Sequence, residues 1–295
     1  MREAITAKAL EIGFDKIGFA PADTLEEAGK VSREAAAKGY FADCDYLEKN
    51  IPLRVNPQLL LKNASTIITV AVNYFVPVTY ENEKLKIAHF AFGTDYHIIV
   101  KAMMLRLASF IRSEFGAKVF LSLDGGRVFE KLWAERCGIG WQGKNSLIIT
   151  PEFGSYVFLG VLISNLKISS FDSKAINRCG TCRRCIEACP NGAITDGKVI
   201  DIRRCIAYRT IEMKTESGLD AHSRNFCGCD ICQNVCPHNS FAKPSRIKEF
   251  YPRRAENVCV SPEFIRNSTA EELLNIYSGT PVERSLRNRK LIGDI

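Results

Sequence analysis

The sequence lacks the marks of export and of membrane insertion. Its opening, "MREAITAKALEIGFDKIGFAP", has no apolar signal core and no twin-arginine pair, and reads as an amphipathic helix running into a strand. No apolar run is long enough to span a bilayer. There is no repeat of solenoid length and no low-complexity tract. These absences lead us to expect a cytoplasmic, membrane-free chain. In a reducing compartment its 12 cysteines read as metal ligands or catalysts rather than as disulfides. What is present is ample core material: 295 residues, 46% of them hydrophobic, enough for one large and one smaller domain. The formal net charge of +7 permits an anionic partner such as nucleic acid without demanding one.

To about residue 170 the pattern alternates between helix and strand. "KIGFA" (16–20), "TIITVAVNY" (66–74), "KVFLSL" (118–123), "SLIIT" (146–150) and "YVFLGVLIS" (156–164) are rich in β-branched residues, bounded by Gly, Pro or Asn, and read as buried strands. Helical stretches are expected at 1–12, 23–38, 96–114 and 127–137. The expected fold is therefore an α/β domain over 1–170. From 171 to 250 the elements shorten and Cys, Gly and Pro become dense, so that this segment is expected to be organised by bound metal. Residues 251–295 close the chain with a helix over 262–277, where Ser268 and Glu271 suggest a capping box, and with the basic stretch "ERSLRNRK".

Two runs hold most of the cysteines. The first, "CGTCRRCIEACP", has the spacing Cys179-x2-Cys182-x2-Cys185-x3-Cys189-Pro190. In the bacterial ferredoxin pattern three such thiolates grip one [4Fe–4S] cluster and the fourth ligates another. Tetrahedral zinc is the alternative for paired Cys-x2-Cys, but a four-cysteine run ending in Pro, found twice, favours iron. The second run, "CGCDICQNVCP", is out of step. Counting back from Pro237 gives Cys236, Cys232 and Cys229, and then Phe226 where a ligand should stand. One cluster is thus expected on Cys179, Cys182, Cys185 and Cys236. The other is expected on Cys189, Cys229, Cys232 and either Cys205 or Cys227. Cys227 is too near Cys229 to span cube corners comfortably, so Cys205 is preferred. Cys44, Cys137, Cys227 and Cys259 read as small hydrophobes.

Other motifs are weaker. "GIGWQG" (138–143) matches a dinucleotide-binding pattern but follows a helix and precedes a strand, the reverse of the required context, so nicotinamide binding is rejected. It is either a tight turn or a close backbone approach to a large ligand. Asp124 follows a strand and precedes Gly125-Gly126, where it is either an acid catalyst or a turn residue. Asp95, Tyr96 and His97 stand just before a helix, and Asp95 can serve simply as its cap. Arg284, Arg287, Arg289 and Lys290 form either a solvated face or a set of phosphate contacts.

Nearly the whole chain resembles the epoxyqueuosine reductases, iron–sulfur and cobalamin enzymes of tRNA queuosine synthesis. The resemblance rests on "GFDKIGFAPAD", "LRVNPQLLLKNASTIITVAVNY", "FGTDYH", "LDGGRVFEKLWAERCGIGWQGKNSLI", "GSYVFLG", both cysteine runs, "DIRRCIAYRTIE" and "GTPVERSLRNRK". It implies an α/β cobalamin-binding domain followed by a ferredoxin-like domain with two [4Fe–4S] clusters, and Cys205 as the isolated ligand. It further implies Asp124 as proton donor, Asp95, Tyr96 and His97 facing the substrate, and Arg54, Asp124, Ile148 and Leu159 lining the cobalamin. Its partners would be tRNA carrying epoxyqueuosine at the wobble position and a low-potential donor such as ferredoxin or flavodoxin, with the enzyme a monomer. Cobalamin comes from the resemblance alone. The chain departs from the family at Gly125, where Thr or Ser is usual, and at "CPHN" and "CPNGAI". It also ends without the helical-repeat extension of longer members. Two other readings are a dehalogenase-like cobalamin enzyme acting on a small molecule and a ferredoxin-type electron carrier.

Overall fold

The computed structural model describes residues 1–195, 199–213 and 224–288. Its centre is β2 (Thr66–Asn73), buried at all eight positions. β2 pairs antiparallel with β1 (Lys16–Pro21) on one side and β7 (Val157–Ser164) on the other, and β7 pairs antiparallel with β4 (Val119–Ser122). Alternation along β2 sends Ile68, Val70 and Val72 to one face and Ile67 and Ala71 to the other. The first face packs against α1 (Arg2–Ile12) and α5 (Tyr96–Phe115), and the second against α6 (Glu130–Arg136), with α2 (Glu26–Ala37), α3 (Asp45–Lys49) and α4 (Ile51–Val55) beyond. The result is a three-layer α/β/α unit. Its sheet is antiparallel, so the rule that ligands gather at the carboxyl ends of parallel strands does not carry the placement of Asp124.

α5 forms because Tyr96, Val100, Met103, Met104, Leu107, Ala108 and Ile111 make one apolar stripe at helical spacing. The Asp95 carboxylate accepts from the His97 amide at 2.9 Å to cap its start, and Gly116 ends it at φ 62°. The strand expected at 146–150 shrinks to β6 (Ile148–Ile149), paired with β5 (Trp141–Gln142) in a separate two-stranded hairpin. "GIGWQG" runs from the end of α6 into β5 of this hairpin.

The cysteine-rich segment contributes α7 (Arg184–Glu187), α8 (Ile206–Ile211) and α9 (Ile231–Asn234). A small sheet of order β8-β3-β9 draws β3 (Leu85–Ile87) from the first segment, β8 (Asn225–Cys227) from the second and β9 (Cys259–Val260) from the third, so all three share one minor core with Tyr277 and Leu286. The helix expected over 262–277 is two helices, α10 (Pro262–Asn267) and α11 (Ala270–Ile276). The capping box is Thr269 with Glu272, not Ser268 with Glu271, and the Ser268 hydroxyl instead donates back to Phe264. α12 (Pro281–Asn288) follows. Arg289 and Lys290 lie outside the described residues. No described helix is long and apolar enough to cross a membrane.

Candidate active site and cluster cavities

Two cavities sort eight cysteines into the two expected tetrads. Cys179, Cys182, Cys185 and Cys236 line a small cavity of about 130 Å³. Cys189, Cys205, Cys229 and Cys232 line another of about 370 Å³ between the sheet and the cysteine-rich segment. Cys227 is 0% exposed in β8 and lines neither. No three ligand-type side chains among the described residues converge on a single ion. A tetrahedral zinc would hold its thiolates roughly 3.8 Å apart, given Zn–S bonds of about 2.3 Å, whereas the corners of an iron–sulfur cube are more widely spaced. Burial pushes the Cys229 thiol up to about 12 and raises Cys185, Cys232 and Cys236, so thiolates here need bound cations to form.

The hairpin holds both runs. The Lys144 ammonium donates to the carbonyls of Gly180 and Cys182 at 2.8 Å, and the Asn145 amide reaches the Cys232 carbonyl at 3.5 Å. This role was not read from the sequence, although Lys144 and Asn145 sit in the quoted "GKNSLI".

The larger cavity carries the proton-handling groups. β7 supplies Val157, Phe158 and Leu159, the hairpin Ile148, the start of α5 Tyr96, and the loop after β4 Asp124. Tyr96 stacks on Phe158 with centroids 4.2 Å apart, which aims its hydroxyl at Asp124 Oδ2, 2.5 Å away. His97 Nε2 lies 3.6 Å from the same oxygen, and its Nδ1 is 2.7 Å from Asp95 Oδ1. Asp124 keeps 67% of its side-chain surface accessible and lines the cavity. Burial alone would raise its carboxyl, but His97 and the Tyr96 hydroxyl outweigh burial and hold it below the usual range. Burial likewise opposes the charged form of His97, and the two carboxylates overcome this and raise its pKa. Of the two, His97 therefore holds a proton more tightly than Asp124, although the Arg284 guanidinium opposes it.

Asp124 has φ 48° and Gly126 φ 65°. A β-carbon on Gly126 would come within 2.7 Å of the Tyr46 ring, so only glycine fits there. Arg284 on α12 places its guanidinium 3.1 Å from His97 Nε2, and Arg253 donates to Thr94 Oγ1 at 2.8 Å. Arg287 instead pairs with Glu283 at 2.8 Å. Arg253 was missed because nothing in its local sequence marks it.

An adjoining cavity of about 570 Å³ shares Glu130, Lys131 and Ile200 with the first and includes Arg54 and Phe129. Arg54 lies over the Phe129 ring at 4.7 Å, and its buried Nε has no hydrogen-bond partner. Burial lowers the pKa of Arg54 and Lys131 and raises that of Glu130.

The comparisons agree with this geometry. The model for a "4Fe-4S double cluster binding domain" matches residues 178–239, and the model "Epoxyqueuosine reductase QueG, DUF1730" matches residues 54–123. The epoxyqueuosine reductase of Atelocyanobacterium thalassa is 36% identical over 291 residues, covering 96% of this chain and 94% of that protein. The chain belongs to the epoxyqueuosine reductase family. The epoxyqueuosine reductase of Leadbetterella byssophila is 35% identical, covering 95% of this chain and 93% of its own. A solved epoxyqueuosine reductase with an epoxyqueuosine-modified tRNA stem loop superposes with a TM-score of 0.86 at 28% identity, over 96% of this chain and 79% of that one. The Streptococcus thermophilus enzyme gives 0.85 at 29% identity, over 99% and 78%. A Bacillus subtilis structure, at TM-score 0.81 and 28% identity over 96% and 79%, has its catalytic aspartate loop swung out of the active site. Membership in this family disfavours the dehalogenase-like and electron-carrier readings. It also makes the chain an oxidoreductase with a double-cluster domain.

Proposed function

We propose that the chain reduces the epoxide of epoxyqueuosine in tRNA to the alkene of queuosine. The reaction takes up two electrons and two protons and releases water. The observation that carries this reading is one cavity whose wall holds both a cysteine tetrad, Cys189, Cys205, Cys229 and Cys232, and an acid system, Tyr96 and Asp124.

The first tetrad would hold the cluster remote from the substrate, and the second the cluster beside it. A corrinoid is a flat macrocycle with a phosphate-bearing tail, and the two adjoining cavities fit one. Ile148, Val157, Phe158 and Leu159 offer apolar walls, and Arg54 offers a cation with an orphaned buried Nε. When bound, the clusters and corrinoid supply electrons one at a time and a nucleophilic centre for the epoxide carbon. The protein's own part is proton management. Asp124 passes a proton from His97 to the epoxide oxygen, while Asp95 orients the imidazole and Tyr96 fixes the carboxylate. General acid assistance of this kind contributes about 10²–10⁴-fold.

Arg284 and Arg253 rim the site where anticodon-loop phosphates would lie, with Arg287 one turn further along α12. On this reading the chain works in the cytoplasm as a monomer and draws its electrons from a low-potential ferredoxin or flavodoxin. The test is nucleoside mass spectrometry of tRNA from a deletion strain, before and after treatment with protein prepared anaerobically with B12. Conversion of accumulated epoxyqueuosine to queuosine is expected. Absence of conversion by protein carrying both clusters and corrinoid would refute the reading.

A further inference from the structure

Cys236 lines two spaces: the first tetrad's cavity and a wide groove of about 980 Å³. Asp95, Tyr96, His97 and Asp124 line neither, so this groove approaches the tetrad without crossing the active site. The two most exposed large hydrophobics among the described residues are Ile176 at 80%, three residues before the first cysteine run, and Phe241 at 78%, next to Ser240 of the groove wall. Their segments are tied together where His238 Nε2 meets the Arg178 carbonyl at 3.3 Å. Over 176–187 and 236–243 the charged side chains are Arg178, Arg183, Arg184 and Lys243 against the single acid Glu187, and all five residues are exposed.

We propose that this apolar and cationic rim is the docking surface for a small acidic one-electron carrier protein that reduces the cluster held by Cys179, Cys182, Cys185 and Cys236. The proposal rests on the cluster assignment above. The two exposed apolar side chains offer a partner surface to bury, and the excess of cations selects an acidic one and speeds its approach. The contact needed is small, as is usual for redox encounters. In each encounter the carrier is oxidised by one electron and the cluster is reduced by one. No bond forms or breaks and no proton moves. Two encounters supply the two electrons of the epoxide reduction.

The test uses anaerobically reconstituted holoprotein and stopped-flow bleaching of the cluster absorption. The reductants are an acidic flavodoxin hydroquinone and, separately, titanium(III) citrate. The flavodoxin rate should fall roughly tenfold or more between about 50 and 500 mM salt, as expected for steered association. The double variant Ile176→Ser/Phe241→Ser, and separately Lys243→Glu, should each slow flavodoxin about tenfold while titanium reduction and iron content stay as in wild type. Normal titanium reduction combined with salt-independent, variant-independent flavodoxin rates would overturn the docking surface alone. A wild-type protein with no titanium-reducible cluster would strike the cluster assignment itself.

Discussion

Cys205→Ala and Cys227→Ala are chemically the same change, and the structure predicts opposite consequences. Cys205 stands at the N-cap of α8, half-buried, in the wall of the larger cavity with Cys189, Cys229 and Cys232. Its carbonyl accepts from the Arg209 amide at 3.2 Å, a bond that the substitution leaves intact. Removing its sulfur therefore takes away a ligand and little packing. Iron should fall from about eight per chain to about four, the content of one [4Fe–4S] cluster. Cys227 is wholly buried in β8, its carbonyl accepts from the Ala88 amide at 2.8 Å, and its neighbours in the minor core include Ile87, Phe226 and Tyr277. Removing that sulfur leaves a hole about the size of a methyl group, which costs about 1 kcal/mol. In a protein of this size that lowers Tm by about 2–4 °C. Iron should remain near eight. The assay is iron and sulfide counting after anaerobic reconstitution, with thermal unfolding of the apo-proteins alongside. Cys227→Ala at half the iron, with Cys205→Ala at full iron, would refute the ligand assignment.

Asp124→Asn should keep both clusters and corrinoid but lose about 10²–10⁴-fold in turnover, read by mass spectrometry of the product nucleoside; full activity would sink the proton-donor role. Because His97 is raised and Asp124 lowered, the pair loses its shared proton only as pH rises through the raised His97 value. The rate should accordingly stay level below that point and decline on the alkaline side, and a decline on acidification from neutral instead would contradict the assignment. Arg284→Ala should weaken tRNA binding and lower the slope of log K against log salt by about 0.7–0.9; an unchanged slope would remove Arg284 from the phosphate contacts. Gly126→Ala should cost about 1–3 kcal/mol through left-handed strain and collision with Tyr46. Gly125→Ala, whose β-carbon would meet nothing nearer than 3.9 Å, should be tolerated, and equal stability losses in chemical denaturation would show the loop to be held differently.

The parts of this molecule that were legible in the sequence are those fixed by local periodicity or by ligand chemistry. The strands at 16–20, 66–74, 118–123 and 156–164 each became a strand of the central sheet within a residue or two, because burial on both faces leaves a continuous apolar run. The 146–150 stretch has the same composition, but Ser146 and Leu147 belong to the hairpin turn, since the backbone must fold back there to carry Lys144 to the first cysteine run. The helix over 262–277 failed at Ser268-Thr269, where the capping box lies one residue on from the expected one and starts a new helix. The tetrads were legible because their spacing is dictated by a cube. Lys144, Arg253 and the Glu130–Lys131 pair were not, since a single charged residue acquires its meaning only from what the fold brings opposite it.

The misfit between the two cysteine runs acquires a physical reason from the surroundings of Cys205. The segment that carries it is fastened to the α/β unit: the Ile202 amide donates to the Tyr40 carbonyl at 3.1 Å, Arg203 lies over the Tyr40 ring, and the Tyr208 hydroxyl donates to Asp43. Three residues beyond Asp43, Tyr46 packs against Gly126 in the loop that presents Asp124. A ligand at position 226 or 227 would instead have been placed by β8 and its pairing with β3. A ligand at 205 is placed by the same stretch of the α/β unit that braces the catalytic loop. The inner tetrad is thereby held in register with the acid it serves, and displacement of residues 40–46 should disturb iron ligation and proton delivery together.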